Sequence, residues 1–251
     1  MVTRDGLVAY TNDLLQIDRF RDYAPNGLQV EGRDEIRILA SAVTASLSAV
    51  EEAVAVGADA LLVHHGYFWQ GEAAAVVGMK RRRLALLLGH EISLLAYHLP
   101  LDAHQDYGNN AQLARVLGLR VSGCFGPDSG IAWFGEPART MEGAEFARHV
   151  ARSLGREPLH IPASDARPIR RIGWCTGAAQ KYIEAAAERG LDAYLTGEAS
   201  EQNFHVAREM NIHFFAAGHH TTERYGVRAL CEHLAAHYKL QHHAIEIANP
   251  I

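Results

Sequence analysis

Apolar and polar positions along this chain follow two periods in turn. Apolar runs of strand length occur at residues 36–44, 59–63, 92–97, 172–175, 193–196, 212–216 and 243–247. Helical spacing of Ala, Val and Leu occurs at residues 46–56, 81–88, 110–117, 143–154, 178–189, 201–209 and 221–237. Strands that alternate with helices indicate βαβ units and a largely parallel sheet with helices on its faces. The pattern therefore predicts an α/β fold.

A Gly- and Pro-rich stretch at residues 123–130 predicts a boundary within this alternation. Beyond it the same design begins again. Residues 57–65 align weakly with residues 190–198, since each segment opens on a helix-ending glycine and closes on polar residues at a strand tip. This echo has two interpretations, a duplicated half-domain or the general likeness of βαβ units.

Two of the predicted strands are followed by residues of types that commonly bind metals. His64 and His65 follow one apolar run, and Asp102 follows the next. In parallel sheets the loops beyond the carboxyl ends of the strands form the ligand crevice, so these residues are expected to share a site. Successive strand residues point to opposite faces, and two ligating histidines here would more naturally address two ions. The alternative is one buried structural histidine with an exposed neighbour.

A second group of ligand-type residues lies near the end of the chain. His219 and Glu223 are four residues apart at a predicted helix start, which puts both on one face. They could chelate one ion or hold neighbouring ones, although a glutamate in the first turn is also a comfortable helix-capping residue. Glu198, at a strand tip, is a candidate general base or else a solvent-facing carboxylate.

Two further histidines flank Asp102. His98 and His104 are candidate catalytic residues, or donors that orient Asp102 or a water molecule, and their alternative is a structural role. The doublet at 242 and 243 lies in a late strand-like segment and is interpreted as structural.

The predicted ligands are three imidazoles and two carboxylates, with no sulfur. This set suits Zn, Mn, Fe or Ni and does not choose among them. The chemistry expected of two such ions is hydrolysis, one activating water and the other polarising the electrophile. The three cysteines are odd in number and far apart, which argues against a disulfide framework or a Cys-based zinc site and fits a reducing compartment.

Charge and hydropathy exclude some classes of function. The net charge is −5 and no basic run exceeds residues 80–83, which argues against nucleic acid as the main partner. That run is interpreted as a solvated helix start, with an anion-binding lining as the alternative. No apolar run approaches the roughly 18 residues of a membrane span and no signal peptide opens the chain, so a cytoplasmic protein without a membrane partner is expected.

Five motifs together are typical of one protein family. They are residues 25–32 (PNGLQVEG), 64–66 (HHG), 97–102 (YHLPLD), 196–198 (TGE) and 218–223 (GHHTTE). With these motifs the chain resembles the NIF3-type proteins (DUF34, or GTP cyclohydrolase 1 type 2 homologues) in their short bacterial form, nearly end to end.

The resemblance implies two interacting α/β domains, a metal-binding one at 1–123 plus 216–251 and a second at 124–215. It also implies two divalent ions. His64 and His219 would serve one ion, His65 and Asp102 the other, and Glu223 would bridge them. The assembly implied is a toroidal homohexamer with the metal sites facing its central cavity.

The expected function is a metal-dependent hydrolase of a small, nucleotide-like substrate, similar to GTP cyclohydrolase type 2. Two alternatives stay open: a non-catalytic metal-binding ring that acts as a scaffold or regulator, and a di-metal phosphoesterase. The sequence has no Walker-type phosphate loop. This does not exclude a nucleotide, because metals and arginines can hold phosphates.

Overall fold

A computed structural model describes residues 1–126, 130–165 and 167–251 of the chain. The chain divides into two compact units. Unit 1 comprises Met1–Gly108 and Arg224–Ala248, and unit 2 comprises Asn109–Glu223 and Asn249–Ile251.

Unit 1 contains a five-stranded sheet and a short antiparallel pair. Its strands are β1 (Val2–Thr3), β2 (Gly27–Val30), β3 (Glu35–Ile36), β4 (Ile38–Thr44), β5 (Ala60–His65), β6 (Ser93–Ala96) and β13 (Gln241–Ala244). The sheet order is β13-β4-β5-β6-β2, with β2 alone antiparallel to its neighbour, while β1 pairs with β3. Its helices are α1 (Arg4–Leu15), α2 (Leu47–Ala55), α3 (Gly78–Gly89), α4 (Leu99–Ala103) and the part of α9 (His219–Tyr238) that follows Glu223. A 3₁₀ turn spans Ile17–Arg19.

Both faces of the unit 1 sheet are covered by helices. Leu61 and Val63 of β5 pack in a core with residues of α2 and α3. Ala60 and Leu62 pack in a second core with residues of α1 and α9. A parallel strand covered on both faces has no polar side, which explains why its sequence is a continuous apolar run that ends only at the histidines.

Unit 2 contains a six-stranded mixed sheet. Its strands are β7 (Leu119–Phe125), β8 (Ala132–Pro137), β9 (Leu159–Ile161), β10 (Ile172–Trp174), β11 (Ala193–Thr196) and β12 (His213–Ala216). The order is β7-β8-β10-β11-β12-β9, with parallel pairing only among β10, β11 and β12. Its helices are α5 (Asn109–Leu117), α6 (Gly143–Leu154), α7 (Ile183–Glu188), α8 (Glu201–Glu209) and the first turn of α9. A 3₁₀ turn, Gln180–Tyr182, precedes α7, so residues 178–189 are not the single helix predicted.

The α/β class with mainly parallel sheets is confirmed, with one qualification for unit 2. The parallel centre of its sheet was predicted, but the antiparallel strands β7, β8 and β9 at its flanks were not. The middle of β7 is largely exposed, so it lacks the apolar run that identifies a buried strand.

The unit boundaries differ from the predicted domain boundaries at 123/124 and 215/216. The segment 109–123 lies with unit 2 because β7 pairs with β8. The strand β12 and the first turn of α9 also lie in unit 2. Of the predicted boundary stretch 123–130, residues 123–125 end β7 and residues 127–129 lie outside the described residues. Across the part of the chain that the structure describes, no helix combines the length and apolarity needed to cross a bilayer.

Candidate metal-binding clusters

Three histidines of unit 1 form a cluster that could hold a metal ion. One ring nitrogen from each of His64, His65 and His98 lies within 4.8 Å of the others. His64 and His65 end β5, and His98 follows β6, the parallel neighbour of β5. The cluster therefore lies at the carboxyl edge of the sheet, where parallel sheets bind ligands.

The orientation of His64 is fixed by a backbone carbonyl. The imidazole is fully buried, and its Nδ1 lies 2.9 Å from the carbonyl oxygen of Tyr97. Because a carbonyl only accepts, Nδ1–H is the donor, and Nε2 is the nitrogen left to bind a proton or a cation. That Nε2 lies 3.6 Å from Oδ1 of the buried Asp102. A carbonyl that fixes the tautomer of a histidine is the usual arrangement at metal-ligating imidazoles.

His64 and His65 are closer together than strand alternation predicts. Their ring centroids are 4.5 Å apart and the planes are inclined by 44°. Both histidines are residues of β5, and His65 is its last residue, so the two side chains converge at the very end of the strand. Alternation alone therefore does not assign the two histidines to different ions.

His98 is held by Asp22 and Asn26, whose roles sequence reasoning missed. His98 Nδ1 lies 2.9 Å from Asp22 Oδ1, and the His98 backbone N–H donates to Asn26 Oδ1 at 2.7 Å. The backbone N–H of Leu99 donates to Asp22 Oδ2 at 2.9 Å. Burial raises the pKa of Asp22, but the hydrogen bond of His98 and its charge when protonated, with the Asn26 and Leu99 donors, outweigh it and lower the pKa from 3.8 to about 2. Asp22 is therefore an ionised carboxylate that orients His98.

Gln29 explains another part of the motif at residues 25–32. Its Oε1 accepts the backbone N–H of Tyr67 at 2.7 Å, and its Nε2 donates to the carbonyl of Pro25 at 2.8 Å. A Cβ on Gly66 would overlap Gln29 Oε1 and lie 2.6 Å from Ala96 Cβ. Gly66 is therefore required because side chains of β2 and β6 approach its Cα closely. Gln29 holds the backbone that follows it.

A second group of ligand-type side chains lies in unit 2. His219 Nε2 lies 3.1 Å from Glu223 Oε2, one turn along α9. His219 Nδ1 lies 2.6 Å from Glu198 Oε1, which follows β11. Burial lowers the pKa of His219, but Glu223 and then Glu198 outweigh it and raise the pKa to about 9. Glu223 is buried, and Glu198 contacts His219 instead of facing only solvent.

Two glycines make room for this second group. Gly177, with φ of +66°, follows β10; a Cβ there would overlap Glu223 Oε1 and lie 3.1 Å from His219 Nε2. A Cβ on Gly197, after β11, would lie 2.7 Å from the His219 Cα. The group thus lies at the carboxyl ends of the parallel strands of unit 2, as the cluster of unit 1 does in its own sheet.

The structure does not bring His104 into the unit 1 cluster. Its Nδ1 accepts the backbone N–H groups of Asp106 and Tyr107, both at 3.1 Å, and its ring stacks on Tyr107. Burial lowers the pKa of His104. These contacts favour the structural alternative for this histidine. For the late doublet, His242 Nε2 lies 2.9 Å from Ser41 Oγ within the sheet that β13 joins, which favours the structural interpretation.

The donors of each group fit a divalent transition metal. Unit 1 offers imidazole nitrogens and a carboxylate, and unit 2 offers an imidazole beside two carboxylates, all without sulfur. Mixed nitrogen and oxygen ligation suits Zn, Mn, Fe or Ni. Proton and metal compete for His219, because the carboxylates that raise its pKa are also the charges that favour a cation.

Comparison with known proteins agrees with these motifs over the whole chain. The family model for Duf34/NIF3 (NGG1p interacting factor 3) matches residues 2–250. Proteins named GTP cyclohydrolase 1 type 2 homolog are 55% identical in Pseudomonas aeruginosa, over 97% of both chains, and 51% identical in Yersinia pestis, over 95% of this chain and 96% of the other.

Solved structures show the same fold. Protein ybgI, described as of unknown function, is 46% identical with a TM-score of 0.97 and full coverage of both chains. TTHA1606 from Thermus thermophilus is 32% identical with a TM-score of 0.90, again with full coverage of both chains. With a family model that spans nearly every residue and relatives at about half identity, the chain belongs to the Duf34/NIF3 family.

Proposed function

We propose that this protein is a dinuclear metal-dependent hydrolase of a small, nucleotide-like substrate. The ions would be held by His64, His65, Asp102, His219 and Glu223, as the family resemblance implies. The observation that carries the proposal is the buried His64, whose Nδ1–H is committed to the Tyr97 carbonyl so that Nε2 points to Asp102. A buried imidazole nitrogen beside a buried carboxylate oxygen, at the carboxyl edge of a parallel sheet, is a donor pair that suits a divalent cation.

When bound, two divalent ions lower the pKa of water and polarise the electrophile. The side chains of the protein would orient the reacting groups and transfer protons. Asp22 accepts from His98 Nδ1–H, which leaves His98 Nε2 as the basic atom facing the cluster and makes His98 the proposed general base. Glu198 is proposed to position His219 through Nδ1 instead of acting as a base.

A purine nucleotide is the proposed substrate class. The curated relatives are named GTP cyclohydrolase 1 type 2 homolog, and opening of a guanine ring is a hydrolysis of the kind the site would support. The toroidal hexamer implied by the resemblance and the cytoplasmic location expected from the sequence remain part of the proposal. Light scattering on the purified protein measures the first, and fractionation of cells measures the second.

The experiment measures ions per chain by elemental analysis and turnover of GTP and other nucleotides after loading with Zn, Mn, Fe or Ni. We expect about two ions per chain and hydrolysis of at least one nucleotide. Single His65→Ala and Glu223→Ala variants should each lose metal, and the His64→Ala plus Glu223→Ala double variant should lose activity. The control is His205→Ala, because the His205 side chain is exposed and forms its ion pair with Glu201 of the same helix.

Different results point to different conclusions. Activity that survives in the double variant would refute the ligand assignment. Two ions with strong stabilisation but no turnover of any nucleotide would favour a scaffold or regulator. Release of inorganic phosphate without change to the base would identify a phosphoesterase.

A further inference from the structure

Two aromatic side chains that the mechanism above does not use lie against the histidine cluster of unit 1. The Trp69 ring centroid lies 5.1 Å from that of His98 and 5.9 Å from that of His65. The Tyr23 ring lies 5.0 Å from His98 and 5.6 Å from Trp69. We call this pair the Tyr23–Trp69 platform. It borders the cluster on the side of His98.

The platform is held in place by its own loops. Trp69 Nε1–H donates to the Gly66 carbonyl at 3.1 Å, and the Trp69 backbone N–H donates to Glu72 Oε2 at 3.0 Å. Glu72 is in turn paired with Lys80 at 3.1 Å. Trp69 therefore has a defined orientation although it lies in a long connection between β5 and α3.

Tyr23 is fixed from two sides. Its carbonyl accepts the backbone N–H of Gln70 at 2.8 Å, which joins the two aromatic loops. Its predecessor Asp22 is bonded to His98. The Tyr23 residue is nevertheless 53% exposed and Trp69 is half-buried, so a rigid aromatic surface beside the cluster remains open to solvent.

We infer that the Tyr23–Trp69 platform stacks the planar heterocycle of the substrate and thereby sets its class. Large aromatic side chains are preferred surfaces for nucleobases, because each base has a π-face and stacking is worth about 1–3 kcal/mol per base. A preorganised platform loses little conformational entropy on binding. The inference rests on the proposed function for its reaction, but binding of a base can be measured without turnover.

Intrinsic fluorescence gives a direct measurement. The chain has three tryptophans, and Trp133 and Trp174 are buried, so quenching by an added base reports chiefly on Trp69. We expect saturable quenching of the metal-loaded protein by guanosine, adenosine or cytidine 5′-monophosphate. Ribose 5-phosphate, which has no base, should bind more weakly and quench little.

Substitutions separate stacking from general disruption. Trp69→Leu and Tyr23→Leu should each weaken nucleotide binding by about tenfold in calorimetry, since each removes a ring face. Trp69→Phe and Tyr23→Phe, which keep a ring, should stay within about threefold of the unsubstituted protein. Metal content is measured in each variant, because Trp69 and Tyr23 both touch His98.

The outcomes distinguish this inference from the proposed function. Absence of saturable quenching by all three nucleotides overturns the platform, and so does a Trp69→Leu protein with full metal content that binds them as tightly as before. Turnover without any such effect would leave the hydrolase proposal standing alone. Tight, ring-dependent binding without turnover of any nucleotide would support the platform and refute the hydrolase.

Discussion

Substitution of Gly177 by alanine tests whether the space beside Glu223 is functional. The residue has φ of +66°, and an added Cβ would overlap Glu223 Oε1 while lying 3.1 Å from His219 Nε2. Gly190 is a matched control in the same unit. It has φ of +71°, and a Cβ there would meet nothing within 4 Å.

The two substitutions share one cost and differ in another. Placing alanine in the left-handed conformation costs about 1–2 kcal/mol at either position. Overpacking adds about 1–3 kcal/mol at position 177 alone, because Glu223 is buried and has little space to move. The free energy of unfolding should therefore fall by about 1–2 kcal/mol in Gly190→Ala and by about 2–5 kcal/mol in Gly177→Ala.

The assay is urea unfolding of both variants, with and without chelator, together with metal content. Gly177→Ala should lose metal because its Cβ displaces one predicted ligand and crowds a second. Gly190→Ala should retain it. Equal destabilisation and equal metal content in the two variants would refute the reasoning that Gly177 keeps Glu223 in place.

Three further predictions concern protonation and polar support. Burial, and then His213, lower the pKa of His160 to about 4, so its contribution to the free energy of unfolding is full above pH 6.5 and falls by about 1–2 kcal/mol, after solvent screening, as the pH drops from 6.5 to 4. His160→Phe keeps the stack on Phe215 and should flatten this pH dependence in urea unfolding. An unchanged pH dependence would contradict the prediction. Asn26→Ala removes the acceptor of the His98 backbone N–H and should lower the free energy of unfolding by about 1–3 kcal/mol, measured by urea unfolding. A decrease below about 0.5 kcal/mol would count against a supporting role of Asn26. Metal bound by imidazoles should dissociate below about pH 6 by proton competition, and tight retention at about pH 4, measured by elemental analysis, would argue against histidine ligation.

The sequence predicted elements and site residues best where a buried apolar strand is followed by a residue type that commonly binds metals. His64 and His65 end a strand buried on both faces, and Asp102 lies in the short helix α4 soon after the next such strand, so the change from apolar to polar residues marks them. The central strands of both sheets were predicted for the same reason. Strand β11, at Ala193–Thr196, and helix α8, at Glu201–Glu209, begin and end where the pattern placed them.

Other features depend on contacts that no local pattern encodes. Asp22 and Asn26 precede the first predicted strand, and their roles arise only because β2 is antiparallel to β6 and brings the preceding loop to His98. Strand β7 is exposed through its middle and so lacks the buried-strand pattern. For Asn26 the earlier signal was the family motif at residues 25–32, whereas Asp22 lies outside that motif.

The pairing of β13 with β4 has a consequence for how the chain is made. These neighbours are separated by about 200 positions, and the whole of residues 109–223 is synthesised between them. A nascent chain can complete the contiguous body of unit 2 while β4 still has an open edge, which is exposed to pairing with other chains until β13 emerges. Emergence of β13 from the ribosome, rather than local helix formation, would then time the closure of this sheet, and messages truncated before codon 241 should yield aggregation-prone products.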